Sequence, residues 1–199
     1  MATINLTKDS GPVKLSKGTR ITAEVSWPAA TDYDLGAEIS YTDGSTESIA
    51  TFGASGLPPK AVSRNGTVRH GGDAARGAGT ATETITVDPD PEIQSVAFWA
   101  YSAQSNGSGS FRRYAVSMAV SDGSSTVSVA ADNASENDGV YTCVPGVVSF
   151  HDGVPQVEQP SDAGAIYSSP GSERRPAFRK GVLKGTKIKM DAGPRNIFK

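Results

Sequence analysis

One cysteine, two histidines, two tryptophans and no long apolar run stand in this chain of 199 residues, and each scarcity excludes something. The lone Cys143 has no internal disulfide partner, which favours an intracellular or intracellularly assembled protein. One cysteine with the scattered His70 and His151 cannot build a structural zinc site of the usual kind. There is no Gly-x-Ser-x-Gly elbow, no Gly-x-x-x-x-Gly-Lys phosphate loop and no His-Glu-x-x-His pair, so a non-enzymatic protein is expected. No stretch of about eighteen apolar residues occurs, which argues against a membrane-spanning helix. The start, Met1-Ala2-Thr3-Ile4-Asn5, lacks the basic residues and apolar core of a signal peptide. A cytoplasmic or virion location is the corresponding expectation.

What is abundant points to strands. Glycine, serine, threonine, alanine and valine dominate, and strong helix formers are sparse. Apolar residues alternate with period two over Thr19–Trp27, Leu35–Tyr41, Glu83–Val87 and Tyr114–Val120, the pattern of half-buried strands. Ile93–Tyr101 is denser in apolar residues, as a central strand covered on both faces would be. Asp43-Gly44 and Asp122-Gly123 mark hairpin turns. The expected fold is all-β: a two-sheet, mainly antiparallel β-sandwich over residues 1–150, followed by an extended C-terminal arm. Its predicted core includes Ile21, Val25, Trp27, Leu35, Ile39, Ile85, Val96, Phe98, Val116 and Met118. Cys143, in the apolar context Tyr141-Thr142-Cys143-Val144, reads as a buried, inert thiol.

After Phe150 the composition changes. Residues 151–176 are rich in Pro, Ser, Gly and Ala and read as a linker, with a basic, strand-like tail at 177–199. Glu173–Lys199 holds nine Lys/Arg against two Asp/Glu, a net of +7, while the rest of the chain holds ten against nineteen, a net of −9. Such a tail seeks an acidic surface. Only Phe178 and Phe198 are aromatic there, without the interleaved stacking platform of single-strand binders, which argues for protein partners over nucleic acid. The candidate partner-binding residues are Arg174, Arg175, Arg179, Lys180, Val182, Lys184, Lys187, Ile188, Lys189 and Met190. Docking in extended form on a neighbouring chain is the expectation, with an intramolecular edge strand as the alternative. Val182-Leu183-Lys184-Gly185-Thr186-Lys187-Ile188-Lys189 also echoes Leu15-Ser16-Lys17-Gly18-Thr19-Arg20-Ile21-Thr22, a repeat or a coincidence of a low-complexity chain.

Two acid-bearing segments carry the chemistry. Asp32-Tyr33-Asp34-Leu35 follows Trp27, and His70-Gly71-Gly72-Asp73 opens a glycine-bearing loop that closes on Glu83. Short carboxylates on tight turns can converge on a hard cation such as Ca²⁺. From Ile4 to about Val129 these segments resemble the TerD tellurium-resistance and stress-protein family, whose members are calcium-binding β-sandwiches. The family's strand reads approximately Asp-Phe-Asp-Leu-Asp. Here Asp32, Tyr33, Asp34 and Leu35 match, and Gly36 stands in the last aspartate's place. In the family's Gly-Asp-Asn loop, Gly72 and Asp73 match, Ala74 replaces the Asn, and Thr80-Ala81-Thr82 stand where acids precede Glu83.

The resemblance therefore implies Asp32, Asp34, Asp73 and Glu83 as metal ligands of a weak or empty calcium site, with His70 outside the ligand shell. Two functions are expected as rivals. One is a non-enzymatic structural module fastened into an oligomer or larger assembly by its arm, such as a virion decoration or minor structural protein. The other is a cytoplasmic calcium-binding stress-response protein of the tellurite-resistance type.

Overall fold

The computed structural model describes residues 2–6, 11–53, 58–107, 110–130, 142–158, 183–184 and 187–188. The strands are β1 (Ala2–Asn5), β2 (Val13–Lys14), β3 (Ile21–Pro28), β4 (Tyr33–Tyr41), β5 (Thr46–Ile49), β6 (Val68–His70), β7 (Thr80–Val87), β8 (Ile93–Ser102), β9 (Ser117–Ser121), β10 (Ser125–Ala130), β11 (Thr142–His151), β12 (Val154–Glu158), β13 (Leu183–Lys184) and β14 (Lys187–Ile188). A first sheet runs β1-β10-β9-β3-β7-β6 and a second runs β2-β12-β11-β8-β4-β5. All pairings in the two sheets are antiparallel except β1 with β10. No helix among the described residues is long and apolar enough to cross a membrane.

The alternation read from the sequence fixes which face is which. On β3, Ile21, Ala23, Val25 and Trp27 are buried and their neighbours are more exposed. On β7, Ala81, Glu83, Ile85 and Val87 point inward. All ten predicted core residues are buried in the cluster between the sheets. Each large apolar side chain removed from water there contributes about 1.5–3 kcal/mol. Trp27 belongs to this inter-sheet core, whereas Trp99 belongs to a second cluster with Ala50, Phe52, Ala97, Tyr101, Val144, Val147 and Ile188. β4 shows why two clusters exist. Tyr33, Leu35, Ala37, Ile39 and Tyr41 join the inter-sheet core. Asp34, Gly36, Glu38 and Ser40 face the other way, yet that face is buried too.

Several boundaries differ from the sequence reading. The sandwich does not end at residue 150, because Val154–Glu158 pairs with β11 and receives β2 on its far side. Asp152 (φ 52°) and Gly153 (φ 73°) make the turn, and two successive left-handed residues match the twist of a tight hairpin. The strand expected from Tyr114 starts at Ser117, after the short helix α1 (Ser110–Arg113) and a turn in which Ala115 has φ 48°. Gln104–Asn106 forms a 3-10 turn.

Four residues of the arm are described. β13 and β14 pair with each other, Leu183 with Ile188 and Lys184 with Lys187, and Ile188 is buried. Ile188 of the arm packs on this chain's own second sheet. The Lys-Gly-Thr echo differs in topology, because its first copy joins strands of different sheets and its second lies between two paired strands. Arg174, Arg175, Arg179, Lys180, Val182, Lys189 and Met190 lie outside the described residues.

Candidate metal centre

The site forms where the β5 pairing of β4 ends. β5 pairs with Ala37–Ser40 of β4, and the backbone groups of Leu35, beyond that pairing, find partners on the first sheet. Glu83 and His70, from the first sheet, supply them. The Leu35 N–H donates to Glu83 Oε2 at 2.7 Å, and the Leu35 carbonyl lies 2.8 Å from His70 Nε2. The Gly72 N–H donates to His70 Nδ1 at 3.0 Å. That pairing assigns the proton to Nε2, which donates to Leu35. The Ala74 N–H donates to the other oxygen, Glu83 Oε1, at 3.0 Å. His70 Nε2 and Glu83 Oε2 are 3.4 Å apart, and both side chains are fully buried.

This clasp sets up the acid cluster. Asp34, Asp73 and Glu83 each offer a carboxylate oxygen, and the three atoms lie within 4.8 Å of one another. Asp34 comes from β4, Glu83 from β7 and Asp73 from the exposed loop after β6; the first two are buried. Asp32, the fourth expected ligand, is not part of the cluster. Its carboxylate is 3.4 Å from Arg76 Nη2. Asn106 clamps its backbone, accepting the Asp32 N–H at 3.0 Å and donating to the Asp32 carbonyl at 2.6 Å. His70 stays outside the ligand set, spent on backbone groups.

No protein-family model and no curated protein matches the sequence. Among solved structures, a homologue of the telluride resistance protein TerD from Streptomyces coelicolor A3(2) superposes with a TM-score of 0.54. It is 16% identical, and the match covers 78% of this chain and 92% of that one. The chain has a TerD-like fold.

Within that TerD-like frame, the departures from the family's acidic pattern have physical reasons. A Cβ at Gly36 would lie 2.0 Å from Cζ2 of Trp99, so the indole occupies the space that an aspartate there would need. Thr80 and Thr82 are exposed on the outer face of the first sheet, away from the cluster, and Thr82 bonds Ser26 at 3.0 Å. Ala74 replaces an Asn, but its backbone N–H still reaches Glu83.

Three carboxylates suit one hard divalent cation, with water or carbonyl oxygen completing a shell of about six to eight ligands. Glu83 already accepts two backbone N–H groups, but each oxygen keeps a second lone pair for a metal. The three carboxylates thus fit a cation with a short donor set.

Sequence reasoning missed Asn106 and Arg76. The only available signal for Asn106 was a glycosylation-like triplet, and its buried amide is engaged at Asp32 and with the Ser102 hydroxyl at 3.2 Å.

Proposed function

We propose that the protein is a non-enzymatic binding module that takes up a divalent cation of the calcium type, weakly, between Asp34, Asp73 and Glu83. The convergence of those three carboxylates within 4.8 Å carries the reading. A short donor set implies an affinity of about 10⁻⁴–10⁻³ M, the range of weak calcium modules. The non-catalytic part is supported by how the reactive groups are used. Both ring nitrogens of His70 are engaged with backbone groups. Burial pushes the Cys143 thiol up to about 12, so its nucleophilic thiolate is scarce at neutral pH. A role in tellurium tolerance or stress response is what the description of the Streptomyces neighbour as a telluride resistance homologue suggests.

A calcium titration by calorimetry tests this in the intact protein and in Asp73→Asn, chosen because Asp73 is exposed. One weak site in the parent and none in the variant supports the proposal. No heat at millimolar calcium, or unchanged binding in the variant, overturns it.

The second reading is a structural module that joins protein neighbours in an oligomer or a virion through its basic arm. It is favoured by the net +7 of Glu173–Lys199 against a −9 body. Light scattering at increasing concentration would reveal the assembly.

A further inference from the structure

The loop that brings Asp73 to the other carboxylates also carries a positive charge, Arg76. Backbone bonds set its place. The Gly77 N–H donates to the Ala29 carbonyl at 2.9 Å, and the Ala29 N–H donates to the Gly79 carbonyl at 2.9 Å. Arg76 is thereby held beside the chain that leads from β3 into β4. Its Nη2 donates to Ser105 Oγ at 2.6 Å and to Asp32 Oδ2 at 3.4 Å.

Asp32 stands beside the cluster. It precedes Asp34 by two residues, with the core side chain Tyr33 between them. Tyr33 pairs with Ser102 of β8, and the Ala103 N–H donates to the Asp32 carbonyl at 3.0 Å, so the ladder runs one residue past Tyr33. Side chains alternate along such a chain, which puts Asp32 and Asp34 on one side, about 7 Å apart.

We propose that Arg76 is a built-in competitor of the cation. Its guanidinium takes up the charge of Asp32 and so holds down the affinity of the Asp34, Asp73 and Glu83 centre, most of all for ions of higher charge. This rests on the reading of those three carboxylates as the cation site.

The chemistry follows from charge. Calcium affinity tracks the number of charged oxygens that a site offers. A guanidinium stays protonated at every physiological pH and has no lone pair to give. It therefore withdraws a carboxylate without supplying a ligand, and it repels the incoming ion. That repulsion grows with the product of the two charges. A purely structural reason for the pair is weak. The Arg76 side chain is half-exposed, and exposed ion pairs add little stability. Asn106 already holds the Asp32 main chain through its N–H and its carbonyl, so the strand does not depend on Arg76.

The test is calorimetry of the full chain with calcium and with terbium(III), in the parent, Arg76→Met, Arg76→Lys, and Arg76→Met combined with Asp32→Asn. Methionine keeps the length of the side chain and brings neither charge nor ligand oxygen. Arg76→Met should bind calcium about tenfold more tightly, and terbium by a larger factor. Arg76→Lys, which keeps the charge, should bind as the parent does. Adding Asp32→Asn to Arg76→Met should cancel most of the calcium gain.

Binding in Arg76→Met that is no tighter than in the parent would overturn the competitor and leave the site standing. A gain shared by Arg76→Lys, or equal factors for the two ions, would assign the effect to the loop rather than to charge and overturn it too. Calcium taken up by Arg76→Met alone, and lost again with Asp32→Asn, would sink the weak site of the parent while supporting the competitor. No uptake by either protein overturns both.

Discussion

Glu83 in one sheet accepts the backbone N–H of Leu35 in the other, at 2.7 Å and without solvent contact for the carboxylate. With His70, which bonds the Leu35 carbonyl at 2.8 Å, it takes up the Leu35 backbone groups beyond the β5 pairing. The proposed cation ligand Glu83 is thus also structural. Glu83 holds the sheets together whether or not an ion is bound.

Glu83→Gln should therefore destabilise the apo protein. A glutamine directs an N–H₂ group at one of two backbone N–H donors, leaving a buried donor unsatisfied at a cost of about 1–3 kcal/mol. Chemical denaturation in a chelator should show a lower midpoint. An unchanged midpoint would mean that the clasp contributes nothing.

Gly36→Asp, the substitution that restores the family's acidic pattern, should not tighten cation binding. The new Cβ would meet the Trp99 indole at 2.0 Å, and overpacking of this kind typically costs about 1–3 kcal/mol. In a Trp99→Ala background the same substitution should cost less, so a double-mutant cycle of denaturation midpoints should show coupling between the two positions. Additive effects would separate Gly36 from Trp99.

Asp122 should contribute to acid sensitivity. Burial pushes its carboxyl pKa up, but backbone N–H groups of Ser125, Ser16 and Ser124 outweigh burial and hold it below the ordinary range. The bonds are short: 2.7 Å from Ser125, 2.7 Å from Ser16 and 2.8 Å from Ser124. A pKa depressed by folding means that the unfolded chain binds the proton more readily, so stability rises with pH through that interval. The contribution is complete above the unfolded value of about 3.9 and is lost as pH falls towards the folded value. Asp122→Ala should lower the midpoint at pH 7 and flatten its fall below about pH 4. Parallel curves for parent and variant would contradict this.

Cys143 should react slowly with thiol reagents at pH 8 in the native protein and rapidly after denaturation. Its pKa is pushed up to about 12 by burial, and the side chain is closed off in the inter-sheet core. Fast native labelling would show that the core opens there.

The sequence carried the sandwich because period-two alternation is a local property. Ile21, Val25 and Trp27 declare one face of β3 without knowledge of any partner. Val154–Glu158 reads as linker in the sequence because Pro155 and the Pro-, Ser- and Gly-rich residues beyond obscure a strand after the Asp152-Gly153 turn, although Val157 is fully buried. The site was only partly legible. Asp34, Asp73 and Glu83 stand in recognisable segments, but the diversion of Asp32 to Arg76 and Asn106 depends on side chains distant in sequence. Trp99 lying across Gly36 is likewise a contact between strands. Ile188 docking in cis needed the fold of the sheet that receives it.

The most direct test of the cation-binding claim is a crystal structure grown in millimolar calcium or a lanthanide, with an anomalous map. The account predicts one peak about 2.3–2.6 Å from oxygens of Asp34, Asp73 and Glu83, with Asp32 still on Arg76. A featureless map at those three carboxylates, or an ion bound by Asp32 elsewhere, would contradict it.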